Sequence, residues 1–494
     1  MRKWVATLMC IVMLCGVLAG CGGKQNMAVN MEDPNTVPED SYEINWYMAG
    51  PTLRDVTSVE NAINAYLKDK INATVKIHRL ENAQYSEKLS NMIQVGEYFD
   101  ICFATNWMLN YEVNAENGAF VALDDLFNTY LPKSYEMLDP TVLDCVKVND
   151  KVYALPVIKE SVDCLGWVYR KDLADKYNID MSKIKSYDEL EPVALMIKEN
   201  EPDIKYPIDW AVDTCPSALS DMSIIQGVNL GYVRGDDSFT IVNRLERPEM
   251  IKEFEKARRF YKEGLIKEDI LTNSSDYIQR LKNGQAFCAL MGVKPGKVEE
   301  ILPNANYEFA QVYVEEPTRP INAGISSMNA ISATSKNPAR VARFLELLNT
   351  DEYLSNLVIF GIEGKHYEKL SDNMVRQIPD SGYSLAESRW MLGNAFQGYL
   401  VEGDDPEKNE KLKEFDKNAK PNPLSGFRFV TESVQAEIAA CAAVEIQYNN
   451  QVTLGAMEPG PVVEKYLADL KAAGIDTIKE ELQRQVTEYM AKQK

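Results

Sequence analysis

Tryptophans and carboxylates are the side chains here best suited to recognition chemistry. Six tryptophans occur, and Trp4 falls in an apolar N-terminal run, which leaves Trp46, Trp107, Trp167, Trp210 and Trp390. Trp107 follows Asn106, Trp210 lies between Asp209 and Asp213, and Trp390 precedes Asn394. A flat ring beside an amide or acid suits a ligand with apolar faces ringed by hydroxyls, as sugars have. Glu160 and Asp163 are a second candidate group. As an acid and nucleophile pair they are poorly placed, because residues three apart in a strand-like segment point to opposite faces. The two histidines, His78 and His366, have no metal-ligand spacing, so a zinc site or a histidine-based triad is not expected. No G-x-S-x-G, P-loop, dinucleotide fingerprint or EF-hand loop is present.

Charge narrows the classes further. The chain carries 53 Lys+Arg against 74 Asp+Glu. Without Arg2 and Lys3 of the N-terminal run, 51 basic residues face the same 74 acids, a net of −23. That balance excludes a nucleic-acid partner, which needs a basic surface. No cofactor and no metal are expected. Of nine cysteines, Cys10, Cys15 and Cys21 lie near the N-terminus. The other six, Cys102, Cys145, Cys164, Cys215, Cys288 and Cys441, form no C-x-x-C pair and read as buried thiols, with disulfides still open.

The elements that must position these residues alternate. YEINWYMAG is β-prone, and Ser58 is expected to cap a helix with Val59, Ala62, Ile63, Tyr66 and Leu67 on one face. TVKIH reads as a strand. Tyr85, Leu89, Met92 and Ile93 mark a second helix that Gly96 stops, and FDICF reads as a buried strand. Strand, helix, strand, helix, strand is an α/β unit with a largely parallel sheet. The pattern returns after residue 150 with KVYALPV and CLGWVYR. Ser186 and Glu189 form a capping box, Pro248 opens a helix that Gly264 ends, and QAFCALM and MNAISAT are strand-like. Asn337 and Pro338 start one long helix through about residue 360. Beyond about residue 425 helices dominate, with Thr477 and Glu480 as the last capping box. Trp167 in CLGWVYR is expected in the core. Trp46 is evenly balanced, with Tyr47 or Met48 as the alternative to face a cleft.

The N-terminus has its own logic. Arg2 and Lys3 precede an apolar run from Trp4 to Ala19, long enough for a signal-peptide core and short for a bilayer span. It ends in Leu18-Ala19-Gly20-Cys21, which resembles the lipobox of bacterial lipoproteins. The resemblance implies a diacylglycerol on Cys21 and a membrane anchor, with residues 1–20 as signal and 21–41 as a flexible tether.

Taken in order, the lipobox, "YSEKLSNMIQVGEYFDI", "GAFVALDDLF", "KVYALPVIKESVDCLGWVYRKDL", "LKNGQAFCALMG", "ISATSKNPARVARFLELL" and "GIEGKHY" resemble the family 1 extracellular solute-binding proteins, receptors of sugar ABC importers. "NPLSGFRFVTESVQAEIAA" points to the large Gram-positive type with an added C-terminal module. The resemblance implies an α/β, two-lobed periplasmic-binding-protein-like fold of type II. The expected lobes are 42–157 plus about 323–370 and 158–322 plus about 371–425, with a helical module at 426–494. Chain crossings are expected near 156–163, 319–325 and 370. The resemblance places Trp107, Trp210 and Trp390 on the cleft, with Asn106, Asp213, Asn394 and Tyr47 as further ligand contacts. It places Glu160 and Asp163 at the first crossing. The implied partners are a carbohydrate ligand, ABC permease subunits and a membrane reached through the lipid alone, with a monomer as the default state. Two other functions remain open: an extracellular carbohydrate-active enzyme, and a peptide binder or ligand-sensing partner of a sensor kinase. Removing the chain beyond about residue 425 is expected to leave the lobes folded.

Overall fold

A computed structural model describes residues 32–493 apart from 228, 273–275 and 303–304. Cys21, the signal run and the first ten or so tether residues lie outside the described residues.

The first lobe opens with β1 (Tyr42–Ala49), α1 (Val56–Ile71), β2 (Ala73–Leu80), α2 (Asn82–Val95), β3 (Ile101–Ala104), α3 (Tyr111–Glu116) and β4 (Ala154–Pro156). Ile44, Trp46 and Met48 are buried on one face of β1, the two-residue period of a strand. Val59, Ile63, Leu67 and Ile71 are buried along α1, the period of a helix. Gly96 ends α2 at φ 66°, a conformation that favours glycine, and the Glu97 N–H bonds the Met92 carbonyl at 2.8 Å.

The second lobe follows with β5 (Leu165–Arg170), α4 (Tyr187–Asn200), β6 (Ile208–Asp209), β7 (Met222–Gln226), β8 (Leu230–Val233), β9 (Val242–Asn243), α5 (Pro248–Lys262), β10 (Cys288–Gly292) and β11 (Phe309–Tyr313). Ser186 caps α4 by accepting from the Glu189 N–H at 3.2 Å. The strands assemble as β11-β5-β10-β6, with a small antiparallel sheet β9-β8-β7 beside them. The chain then returns to the first lobe with β12 (Met328–Ile331), α6 (Pro338–Thr350) and α7 (Glu352–Phe360). The first sheet runs β2-β1-β3-β12-β4, parallel over β2-β1-β3 and antiparallel at β12. Asn337 caps α6 through the Arg340 N–H at 3.0 Å. The expected single helix is two, because Asp351 leaves helical geometry and caps α7 through the Leu354 N–H at 3.0 Å. The last elements are α8 (Lys408–Lys417), α9 (Gln435–Thr453), α10 (Pro459–Ala472) and α11 (Ile475–Lys492).

Each lobe has its own core. One cluster joins Ile44 through Ile158 with Ile325 through Tyr399. Others fill the second lobe around Trp167, Phe260 and Leu290, and around Val168 and Phe415. The chain therefore passes between cores at 158–162, 314–325 and 401–415. The expectation that residues from about 371 belong to the second lobe is corrected: Val375, Tyr383, Leu392 and Tyr399 pack in the first lobe, so residues 371–401 belong there. Short β and loop segments carry no periodicity that tells one apolar surface from another. The tether reading is also corrected over 32–41. Glu32 chelates the buried Arg340 at 2.7 and 2.8 Å, and its carbonyl accepts from the Tyr130 hydroxyl at 2.6 Å. Ser58 lies inside α1, bonding Asp55 at 2.6 Å, and α11 begins at Ile475, ahead of the Thr477–Glu480 box.

The C-terminal helices share a core with the second lobe. Met222, Leu230, Met250 and Phe254 are buried in one cluster with Val452, Tyr466, Leu470 and Leu482. Arg244 donates to Asn449 at 2.6 Å across the same boundary. A chain ended at residue 422 would leave that face of α5 and β8 in water, contrary to the expectation of a removable module. It is predicted to unfold at a clearly lower temperature and to bind an apolar dye before unfolding. A melting curve matching the intact protein would sink the shared core.

Candidate ligand-binding cleft

β3 ends at Ala104 and hands the chain to a tightly tied turn. Buried Thr105 accepts at Oγ1 from the Trp107 N–H at 3.1 Å and the Met108 N–H at 2.7 Å. Leu109 and Asn110 have φ of 62° and 23°, an unfavourable geometry for side-chain-bearing residues that is held by Asn114 Nδ2 donating to the Leu109 carbonyl at 2.8 Å. The turn pushes Trp107 into water, where 56 % of its surface is exposed. Its indole N–H donates to the Ser326 carbonyl at 3.0 Å, so the ring is fixed. Trp390, partly buried, lies 6.0 Å from it, and Phe103 braces both rings at 6.1 and 5.6 Å. The pair stands at the C-terminal end of a parallel strand, where open α/β sheets hold ligands.

Two joined hollows lie between the lobes. The larger, about 1520 Å³, is lined by Asn106, by Asp163, Glu315 and Arg319 at the crossings and by residues 427–432 of the C-terminal segment. The smaller, about 250 Å³, is lined by Lys159, Glu160, Asp163, Lys294 and Ser326. The chain crossings between them are tied by main-chain bonds. Asp163 and Thr318 exchange N–H donors at 2.8 and 2.9 Å, and the Arg319 N–H reaches the Lys420 carbonyl at 2.8 Å.

Asn106, Glu160 and Asp163 line the hollows, Trp107 and Trp390 stand beside them through the Trp107 bond to Ser326, and the other expected residues lie elsewhere. Trp210 is buried in the second-lobe core, edge-on to Tyr187 and stacked on Phe260 at 5.9 Å. The acids beside it made it look polar, but Asp209 is consumed by Arg280, at 3.0 Å for Oδ1. Asp213 is exposed and lines neither hollow. Asn394 is buried, with its amide donating to the Asn349 carbonyl at 3.2 Å and its oxygen accepting from the Phe396 N–H at 3.1 Å. Tyr47 stacks on its cross-strand partner His78 at 4.4 Å and lines neither hollow. Trp46 and Trp167 are core residues. All six described cysteines are free and buried. Sequence reasoning missed Phe429 and Val430 in the cleft wall, although "GFRFV" is an unusually apolar stretch between two polar ones.

Charge at the crossings is organised around Lys294. It sits 2.9 Å from both Glu160 and Glu300, and Lys297 lies 3.1 Å from Glu300. Burial works against the ionised carboxyls, but the neighbouring ammonium groups win: Glu160 is held below its ordinary value and Glu300 down to about 2. Burial raises the Asp163 carboxyl and lowers the Lys159 ammonium. Among the described residues no group of three or more His, Cys, Asp or Glu is arranged to hold a metal, and no helix is long and apolar enough to cross a membrane. A carboxyl depressed by folding stabilises above its unfolded value and loses that stabilisation as pH falls through the folded one. The margin of the wild type over Glu300→Gln should therefore be full above about pH 4.5 and vanish toward pH 2. Parallel acid-unfolding curves for the two proteins check this, and a gap that persists unchanged down to pH 2 would contradict it.

Comparison with known proteins fits this geometry. Residues 50–354, more than half of the chain, match the model of the bacterial extracellular solute-binding proteins, and residues 423–491 match a domain of unknown function, DUF3502. A carbohydrate ABC transporter substrate-binding protein of Streptococcus pneumoniae is 28 % identical over 100 % of this chain and 99 % of its own. A crystal structure of the N-glycan transport solute-binding protein NgtS from S. pneumoniae superposes with a TM-score of 0.82 at 27 % identity, covering 92 % of this chain and 100 % of that one. The same protein in complex with Man5GlcNAc gives a TM-score of 0.71 at 28 % identity over the same shares. A binder with two lobes and a cleft between them, not an enzyme, is what the match describes: this chain belongs to the bacterial extracellular solute-binding protein family.

Proposed function

We propose that this protein captures an oligosaccharide between its lobes and delivers it to an ABC importer, held at the outer face of the cell membrane by a lipid on Cys21. The exposed Trp107, bonded to Ser326 of the cleft lining and paired with Trp390, carries the reading. Large aromatics are normally covered in folded proteins, and a pair left open on a rigid turn is a platform for the apolar face of a sugar ring. Asn106 and the carboxylates of the crossings supply the hydrogen bonds that hydroxyls need. The names of the pneumococcal relatives support the carbohydrate class and the transporter partner.

Capture works by closing the cleft. Three crossings joined by main-chain bonds let the lobes rotate as bodies, and ligand contacts made to both lobes favour the closed state. A closed, loaded surface is what a permease would distinguish from the empty one.

Thermal unfolding of residues 22–494 tests the function. A ligand at about 100 times its Kd should stabilise the protein by roughly 2.7 kcal/mol. Neutral oligosaccharides, Man1GlcNAc and Man5GlcNAc among them, should shift the melting temperature without being cleaved. A shift with peptides alone would overturn the ligand class. The two cleft-assigned tryptophans of the sequence should separate cleanly. Trp107→Ala should melt as the wild type does and lose the ligand shift. Trp210→Ala should lose about 3–5 kcal/mol of stability, as large core truncations do. Wild-type affinity in Trp107→Ala would remove the platform from the site.

A further inference from the structure

The larger hollow exceeds the roughly 300–1,000 Å³ of an ordinary small-molecule site. Its lining includes Asn106, next to Trp107, and Gln435 at the start of α9. One part of its wall belongs to neither lobe's sheet. It is made by the strip 427–432, which lies within the domain of unknown function.

That strip is held from both sides. Arg428 reaches Glu116 of α3, with Glu112 at 4.0 Å. The Val430 N–H donates to Gln485 Oε1 at 2.9 Å, and the Val430 carbonyl accepts from Gln485 Nε2 at 2.8 Å. With its backbone committed to α11, Val430 is 49 % exposed and Ile224 of β7 is 37 % exposed, and both line the larger hollow. Phe429, partly buried on the module's core, sits between the two anchored residues. Apolar side chains fixed in this way and left wet on one wall are what a ligand's C–H faces would cover.

Charge limits what that ligand can be. Seven carboxylates and four cations line the hollow. Each cation is already taken: Arg234 by Glu315 at 2.9 Å, Arg319 by Asp139 and Asp416 at 3.2 and 3.1 Å, Lys420 by Glu316 and Arg428 by Glu116. An anionic sugar entering here would lose hydration, meet net negative charge and find no cation among these four to receive it. Hydroxyls can donate to exposed Asp237 and Glu432 instead.

We propose that the C-terminal module supplies a second subsite, formed by Phe429, Val430 and Glu432 with Ile224, for further residues of an uncharged oligosaccharide that also stacks on Trp107 and Trp390. The inference rests on the carbohydrate reading and adds a role for the module: it enlarges a site whose net negative charge disfavours acidic branches.

Calorimetric titration of residues 22–494 with neutral oligosaccharides from disaccharide to heptasaccharide, Man1GlcNAc and Man5GlcNAc included, and with one sialylated oligosaccharide tests it. Val430→Ser and Phe429→Ala should weaken the longer sugars about tenfold, or about 1.4 kcal/mol, and leave the disaccharide within about twofold. Val430→Ser is exposed and should melt as the wild type does, so it keeps the test valid if Phe429→Ala is unstable. The sialylated sugar should bind more weakly than its neutral counterpart, and Glu432→Lys should narrow that gap. Equal losses for short and long sugars, no loss for either, or undiminished binding of the sialylated sugar would overturn the subsite. A wild type that binds no sugar at all would instead overturn the carbohydrate reading beneath it.

Discussion

Main-chain hydrogen bonds at the chain crossings carry the relation between the two lobes. Asp163 and Thr318 bond each other in both directions, and Arg319 and Lys420 continue the ladder. Side-chain charge reinforces the same place, with Arg319 gripping Asp139 of the first lobe and Asp416 of the second. The apolar cores stop short of this junction, one ending at Ile158 and another beginning at Val162 and Cys164. Packed cores resist deformation, whereas a few ladder residues can absorb dihedral change. Packed cores therefore bound the cleft, and a few ladder residues join them.

The cleft's polarity follows from how the charges are paired. The protein is strongly acidic, and most cations near the cleft are paired. Lys294 is shared by Glu160 and Glu300, and the four cations of the larger hollow have carboxylate partners. Lys159 of the smaller hollow donates instead to the Glu160 carbonyl at 3.1 Å. In the larger hollow seven acids face four cations, so the free groups there are hydrogen-bond acceptors. Trp107 and Trp390 stand beside these acceptors, and the proposed carbohydrate ligand rests on that pairing of rings and acceptors.

The C-terminal helices are part of this arrangement. They complete the core beneath β8 and α5, and their leading strip reaches the first lobe through Arg428 and the first-lobe residue Cys145 through Ser425 at 3.6 Å. A segment that touches both lobes beside the crossings shapes the cleft and cannot be separated from the fold without exposing apolar surface.

Local pattern was enough for most elements and for the family. Alternation in YEINWYMA, the helical period from Val59 to Ile71, the Ser186 and Asn337 caps and the Gly96 stop each depend on neighbours in sequence, and each is seen in place. Which tryptophan faces the cleft was not legible in this way. Trp107 and Trp210 both follow strands and both neighbour polar residues, but Arg280, from a helix about seventy residues on, neutralises Asp209 and lets Trp210 sink into the core. Asn394 looked like a ligand amide until Asn349 and Phe396 used its donors and acceptor. The side of the cleft covered by residues 371–401, the docking of Glu32 on Arg340 and the wall built by Phe429 and Val430 depend on the same kind of fact. The sequence by itself determined the elements, the acidic charge and the family, because these are set by composition and short-range spacing. Burial of a polar or aromatic side chain is settled by partners distant in the chain, so only the tertiary structure decided which residues line the cleft.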